Sequence, residues 1–178
     1  MSRTFTYGIA PGYGEKNSMA ASDTIEVNIP VNKCCIYEDA RAILHKFGDS
    51  RLTEENGYHI NTVQADDLDE DTRLFDRSFM RAYKDAVAAC SAYRREDVEY
   101  VNDIGLLMPS TWQEELTDTL IDNVHDYILF SIVADFLKIT EPREYAFYKE
   151  EAAKFRIQIK DVLESRKPFT RYTEIKPF

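Results

Sequence analysis

Residues 24 to 31, TIEVNIPV, alternate strictly, with Ile25, Val27, Ile29 and Val31 on one side and polar positions on the other. A period of two marks a half-buried strand, and Pro30 and Asn32 close it. The period then lengthens. In IYEDARAILHKFG, Ile36, Ala40, Ile43, Leu44 and Phe47 recur at helical spacing up to Gly48. Residues 49 to 64 are polar and rich in turn formers, with a short strand expected around His59 to Val63. From about Asp69 to Arg95 one stripe of Phe75, Phe79, Ala82, Ala86 and Cys90 predicts a long helix, and Asp67 and Glu70 have the spacing of a capping box. VEYVNDIGLLMP reads as two short strands turning around Asn102–Gly105, a hairpin.

The second half of the chain predicts two more long helices. PSTWQEE opens the first, with Thr111 and Glu114 at capping-box spacing, and Trp112 reads as a core residue. Its early turns are amphipathic through Leu116, Leu120 and Val124, whereas YILFSIVADFL is apolar on nearly every side up to about Ile139. A helix apolar all round lies in the middle of something. Pro142 suits the first turn of the next helix, whose stripe is Tyr145, Tyr148, Ala152, Phe155, Ile159, Val162 and Leu163. So short a connection makes the pair, residues 112–139 and 142–166, an antiparallel hairpin, each arm roughly 35–40 Å long. The fold class expected is mainly α with a small β element: a long helical hairpin plus a third long helix, with extended arms at both ends. Residues 1–23 form the first arm, 24–166 the helical domain and 167–178 the second arm.

Composition narrows the possible functions. The chain has 178 residues, 44% of them hydrophobic, enough for one domain with a real core. No apolar run reaches the roughly 18 residues of a membrane span, since Asp135 interrupts the longest, and no membrane partner is expected. The net charge of −10 disfavours generic nucleic-acid binding, and no sequence-specific nucleic acid is expected. Without an apolar leader the protein is expected in a cytoplasm. Five carboxylates crowd DDLDED at 66–71, but the glycine of a calcium loop is missing, so a solvated helix start is the simpler reading.

Candidate chemistry is sparse. The stretch GIAPGYGEKNS, residues 8–18, has the glycines, lysine and serine of a phosphate loop, but Glu15 separates Gly14 from Lys16 and no glycine stands five positions before Gly14. Asp122 and His125 have an i, i+3 spacing used in di-iron bundles, yet no second such motif is present. His45 falls late in the first helix and His59 in a turn-rich stretch. Cys34, Cys35 and Cys90 make no disulfide framework or zinc pattern and read as semi-buried thiols. No catalytic residue, cofactor or metal is assigned.

In order, IEVNIPV, the acidic lead-in DDLDEDTRLFDRSF, LLMPSTW, HDYILFSIVADFLKI, PREYAFYKEEAAKF and the basic exit ESRKPFTR resemble small structural proteins of tailed phages and prophages of Bacteroidales, including crAss-like phages. The resemblance covers roughly residues 24–171. It implies a head–tail connector, a ring or adaptor protein at the portal vertex, or a tail-completion protein. Such a protein sits in the virion neck or tail, is assembled in the host cytoplasm, and partners with copies of itself in a ring, with the portal and with neighbouring rings. It implies no enzymatic activity. A small cytoplasmic helical enzyme, a ligand-binding protein and a non-viral adaptor bundle remain alternatives on the residues alone.

Both ends carry spaced aromatics without helical periodicity, so they read as arms that order against neighbours. Phe5, Tyr7 and Tyr13 are the expected partner-binding residues of the first arm. Arg166, Lys167, Phe169, Arg171, Tyr172, Lys176 and Phe178 are those of the second, whose positive face suits an acidic surface.

Overall fold

Asn32 starts the helical part of the molecule. Its side-chain oxygen accepts hydrogen bonds from the N–H groups of Cys34 and Cys35, at 3.1 and 3.3 Å, and its carbonyl accepts the N–H of Ile36 at 3.1 Å. These bonds satisfy donors that a helix start otherwise leaves open. The computed structural model describes residues 24–49, 69–95 and 103–165. In chain order these form β1 (Thr24–Pro30), α1 (Lys33–Asp49), α2 (Asp69–Ala89), β2 (Asp103–Pro109), α3 (Thr117–Thr140) and α4 (Pro142–Glu164). The fold is mainly helical with one small antiparallel sheet, as the periodicities predict.

The sheet corrects one expectation. Asp103 to Gly105, expected in a turn, belong to β2, which pairs with β1 so that Gly105 lies in mid-strand opposite Asn28. The other expected strand, residues 98–101, lies outside the described residues. The register explains the pairing. Ile25 faces Met108, Val27 faces Leu106 and Ile29 faces Ile104, so two alternating apolar sets meet on one side and bury together. Glu26, Asn28 and Leu107 fall on the outer side.

α2 ends at Ala89, earlier than Arg95. A 3-10 turn over Ser91–Tyr93 brings Arg94 beside Leu106 on the far edge of β2. The Arg95 N–H donates to the Gly105 carbonyl at 2.9 Å, and its guanidinium reaches Glu26 of β1 at 2.8 Å. The chain leaves the helix because β2's edge offers those backbone partners. Residue Asp67 and the expected strand at His59 to Val63 lie outside the described residues, as does His59 itself.

The second capping box does not form. A 3-10 turn, Glu114–Leu116, precedes α3, and neither start has a side-chain cap. Trp112 is the cause: it is wholly buried, its backbone N–H donates to the Pro109 carbonyl at 2.8 Å, and its indole N–H points to the Thr117 hydroxyl at 3.4 Å. Seating the indole in the core draws Thr111 into a turn and away from the helix start.

α3 is the central element. It packs against α4, α2, α1 and β1, which accounts for burial on every side of Val124, Ile128, Ile132, Val133 and Leu137. Only Glu141 separates it from α4, where Pro142 occupies the first turn. One continuous core joins the sheet's inner face to Ile36, Ala40 and Leu44 of α1, Phe75, Phe79, Ala82 and Ala86 of α2, and Ala152, Ile159 and Leu163 of α4. Edge-on contacts of Tyr37 with Phe75 and Phe79, and of Phe75 with Phe136, tie α1, α2 and α3 together. Phe155 departs from expectation: it is only half-buried, at the edge of the core.

Candidate functional site

The ten residues expected to bind partners lie outside the described residues: Phe5, Tyr7 and Tyr13 in the first arm, and Arg166, Lys167, Phe169, Arg171, Tyr172, Lys176 and Phe178 in the second. The acidic run 66–71 does too, apart from the backbone of Asp69 to Asp71 at the start of α2.

The histidine pattern resolves into surface contacts. His125 Nε2 lies 3.5 Å from Asp39 of α1 and Nδ1 lies 3.4 Å from Asp126, while Asp122 is exposed. Among the described residues no group of three or more His, Cys, Asp or Glu is placed to hold a metal ion. Cys34 and Cys35 are exposed rather than semi-buried, because the first turn of α1 points them outward, and Cys90 is fully buried.

Two polar arrangements stand out. Between α1 and α2, the Tyr37 hydroxyl donates to Asp76 at 2.5 Å, and Lys33 meets the same oxygen at 2.7 Å while lying over the Tyr37 ring. Burial, then Asp76, pushes the Tyr37 phenol far above its ordinary pKa, and the bonds from Lys33 and Tyr37 hold Asp76 below the usual carboxylate range.

The second is a cleft of about 260 Å³ where α2, α3 and α4 meet. Each helix contributes positions three, four or seven apart, which fall on one face. Ser78, Ala82, Ala134, Ala152 and Ala153 are too small to fill the junction, and that is why a cavity exists there. Tyr127 and Tyr145 form walls. Tyr127 is buried and lies near Asp85; burial, then that carboxylate, raises its pKa. Arg81 pairs with Asp135 at 2.9 Å across the α2–α3 seam. Lys149 lies over the Tyr145 ring, 5.3 Å from its centre, and Arg156 lines the same cleft two turns along α4. The sequence signal for this site was available only as small residues interleaved with charges on three separate helices, and nothing local says that those faces converge.

The chain matches no family model, no curated protein and no solved structure. No helix among the described residues is long and apolar enough to cross a membrane.

Proposed function

We propose that the chain is a structural virion protein of a tailed phage, forming a ring at the portal vertex, neck or upper tail and working by assembly. The observation that carries this reading is the outward side of α4. Phe147 and Ile157 are 55% and 59% exposed there, on a rigid helix whose other side is anchored in the core. Large apolar side chains held outward on a stiff element suit burial against another chain. The phage assignment draws support from the motif order. Three of the six motifs coincide with elements, IEVNIPV with β1 and the residue after it, HDYILFSIVADFLKI with α3 and PREYAFYKEEAAKF with α4, while LLMPSTW runs from β2 into the turn before Trp112. Copies would join head to tail using two different faces, closing at about twelve subunits.

The test is to delete residues 1–23 and, separately, 167–178, and to follow melting temperature and incorporation into particles. Arms that act in assembly leave the melting temperature nearly unchanged and abolish or weaken incorporation. Deletions that unfold the monomer, or a two-fold dimer as the sole assembly in particles, overturn the reading.

A further inference from the structure

The charges lining the α2–α3–α4 cleft are not evenly matched. Arg81 pairs with Asp135, while Asp85 and Arg156 both lie close enough to Tyr127 to act on it. Lys149 and Arg156 remain. Among the described residues neither makes an ion pair with a carboxylate; Lys149 faces only the Tyr145 ring, and Arg156 acts on Tyr127 through space. They stand two turns apart on one face of α4 with Ala152 and Ala153 between them. With Arg81, Lys149 and Arg156 set against Asp85 and Asp135, the lining is net positive by one charge on a chain whose net charge is −10. The floor beneath them is apolar and shallow, made by Ala82, Ala134 and Ala152.

We propose that this cleft binds a carboxylate carried on a short apolar body. The body lies on the alanine floor between Tyr127 and Tyr145, and the carboxylate is held by charge-assisted hydrogen bonds from Lys149 and Arg156. A phosphate fits less well. It would leave the alanine floor uncovered and bring a second negative charge towards Asp85 and Asp135, which share the lining. Two sources carry the required chemistry. One is a free organic acid. The other is an acidic protein segment with an apolar residue among its carboxylates, such as Leu68 within DDLDED of a second copy. The site does not depend on the assembly reading.

The experiment titrates the full chain with phenylpropionate, with its uncharged analogue phenylpropanol, and with a synthetic DDLDED peptide, by calorimetry and amide chemical shifts. Lys149→Glu/Arg156→Glu and, as a control for general charge, Lys46→Glu on α1 are titrated in parallel. All three side chains are exposed, and circular dichroism verifies folding. Binding of the acid or the peptide should weaken at least roughly tenfold, about 1.4 kcal/mol, in the double variant and stay unchanged in Lys46→Glu. The alcohol should bind at least roughly tenfold more weakly than the acid. Binding of the free acid alone identifies a small-molecule site, and binding of the peptide alone identifies a protein segment; either supports the proposal. No binding up to millimolar concentration, equal binding of the alcohol, or equal loss in Lys46→Glu overturns it.

Discussion

Phe130 of α3 and Phe155 of α4 stack nearly parallel, with ring centres 5.4 Å apart and planes 10° from each other. Tyr148 stacks on Phe130 as well, at 6.0 Å, so one ring of α3 is shared by two rings of α4. This ladder closes the solvent side of the hairpin seam, where Phe155 is only half-buried. Phe155→Ala should therefore cost about 2 kcal/mol, below the 3–5 typical of a wholly enclosed phenylalanine such as Phe75. A double-mutant cycle between Phe130 and Phe155, read by urea unfolding, should give a coupling of about 0.5–1.5 kcal/mol. A coupling of zero would show that the stacking is incidental.

The three thiols should separate cleanly. Burial pushes the Cys90 thiol up to about 12, whereas Cys34 and Cys35 are exposed on the first turn of α1. A disulfide reagent at mildly alkaline pH should consume both exposed thiols of the native protein quickly and reach Cys90 only after unfolding. Rapid reaction of all three would contradict the burial of Cys90.

Asp76 links α2 to α1 in a pH-dependent way. Hydrogen bonds from Lys33 and Tyr37 lower its pKa in the folded state. A depressed carboxylate stabilises the fold above its unfolded pKa, about 3.9, and loses that contribution as pH falls through the folded value. The stability gap between the wild type and Asp76→Asn should be full at neutral pH and close below about pH 4. With Asp76 about half exposed, the gap should be modest. A gap that widens in acid would reverse the assignment.

Trp112 is the single tryptophan and has no exposed surface. Its emission should be blue-shifted and shielded from aqueous quenchers, and should shift red only with global unfolding. Denaturation followed by this signal and by helix circular dichroism should coincide, because the indole sits where β2, α3 and the core meet. An earlier red shift would mean that the segment from Pro109 to Thr117 opens separately.

Most of the helical architecture was legible because its signals are local. Pro142 and the stripe through Ala152 and Ile159 define α4 without reference to any other element, and the all-round apolar YILFSIVADFL announces a central α3. What was not legible depends on distant partners. The alternation at Ile104, Leu106 and Met108 identifies a strand, but only Ile25, Val27 and Ile29, far away in sequence, identify the strand it pairs with. Thr111 and Glu114 satisfy a capping pattern that the burial of Trp112 overrides. The cleft was hidden for the same reason: Lys149 and Arg156 look like ordinary solvated charges until Tyr127 and Ala134 arrive from another helix.

The pairing of β1 with β2 also sets an order in time. It joins Pro30 to Asp103 and encloses α1 and α2 in one long loop, whereas a single residue links α3 to α4. Long loops close late because their entropy is lost before any contact repays it. On refolding, amide protons of α3 and α4 are expected to gain protection before those of β1. During synthesis the order of the chain adds a delay. At ribosomal rates of about 5–20 residues per second, β1 is made roughly 4–16 s before the end of β2. For that interval Val27 and Ile29, later sealed in the core, have no strand to lie against, and the nascent chain carries them uncovered before α3 and α4 exist.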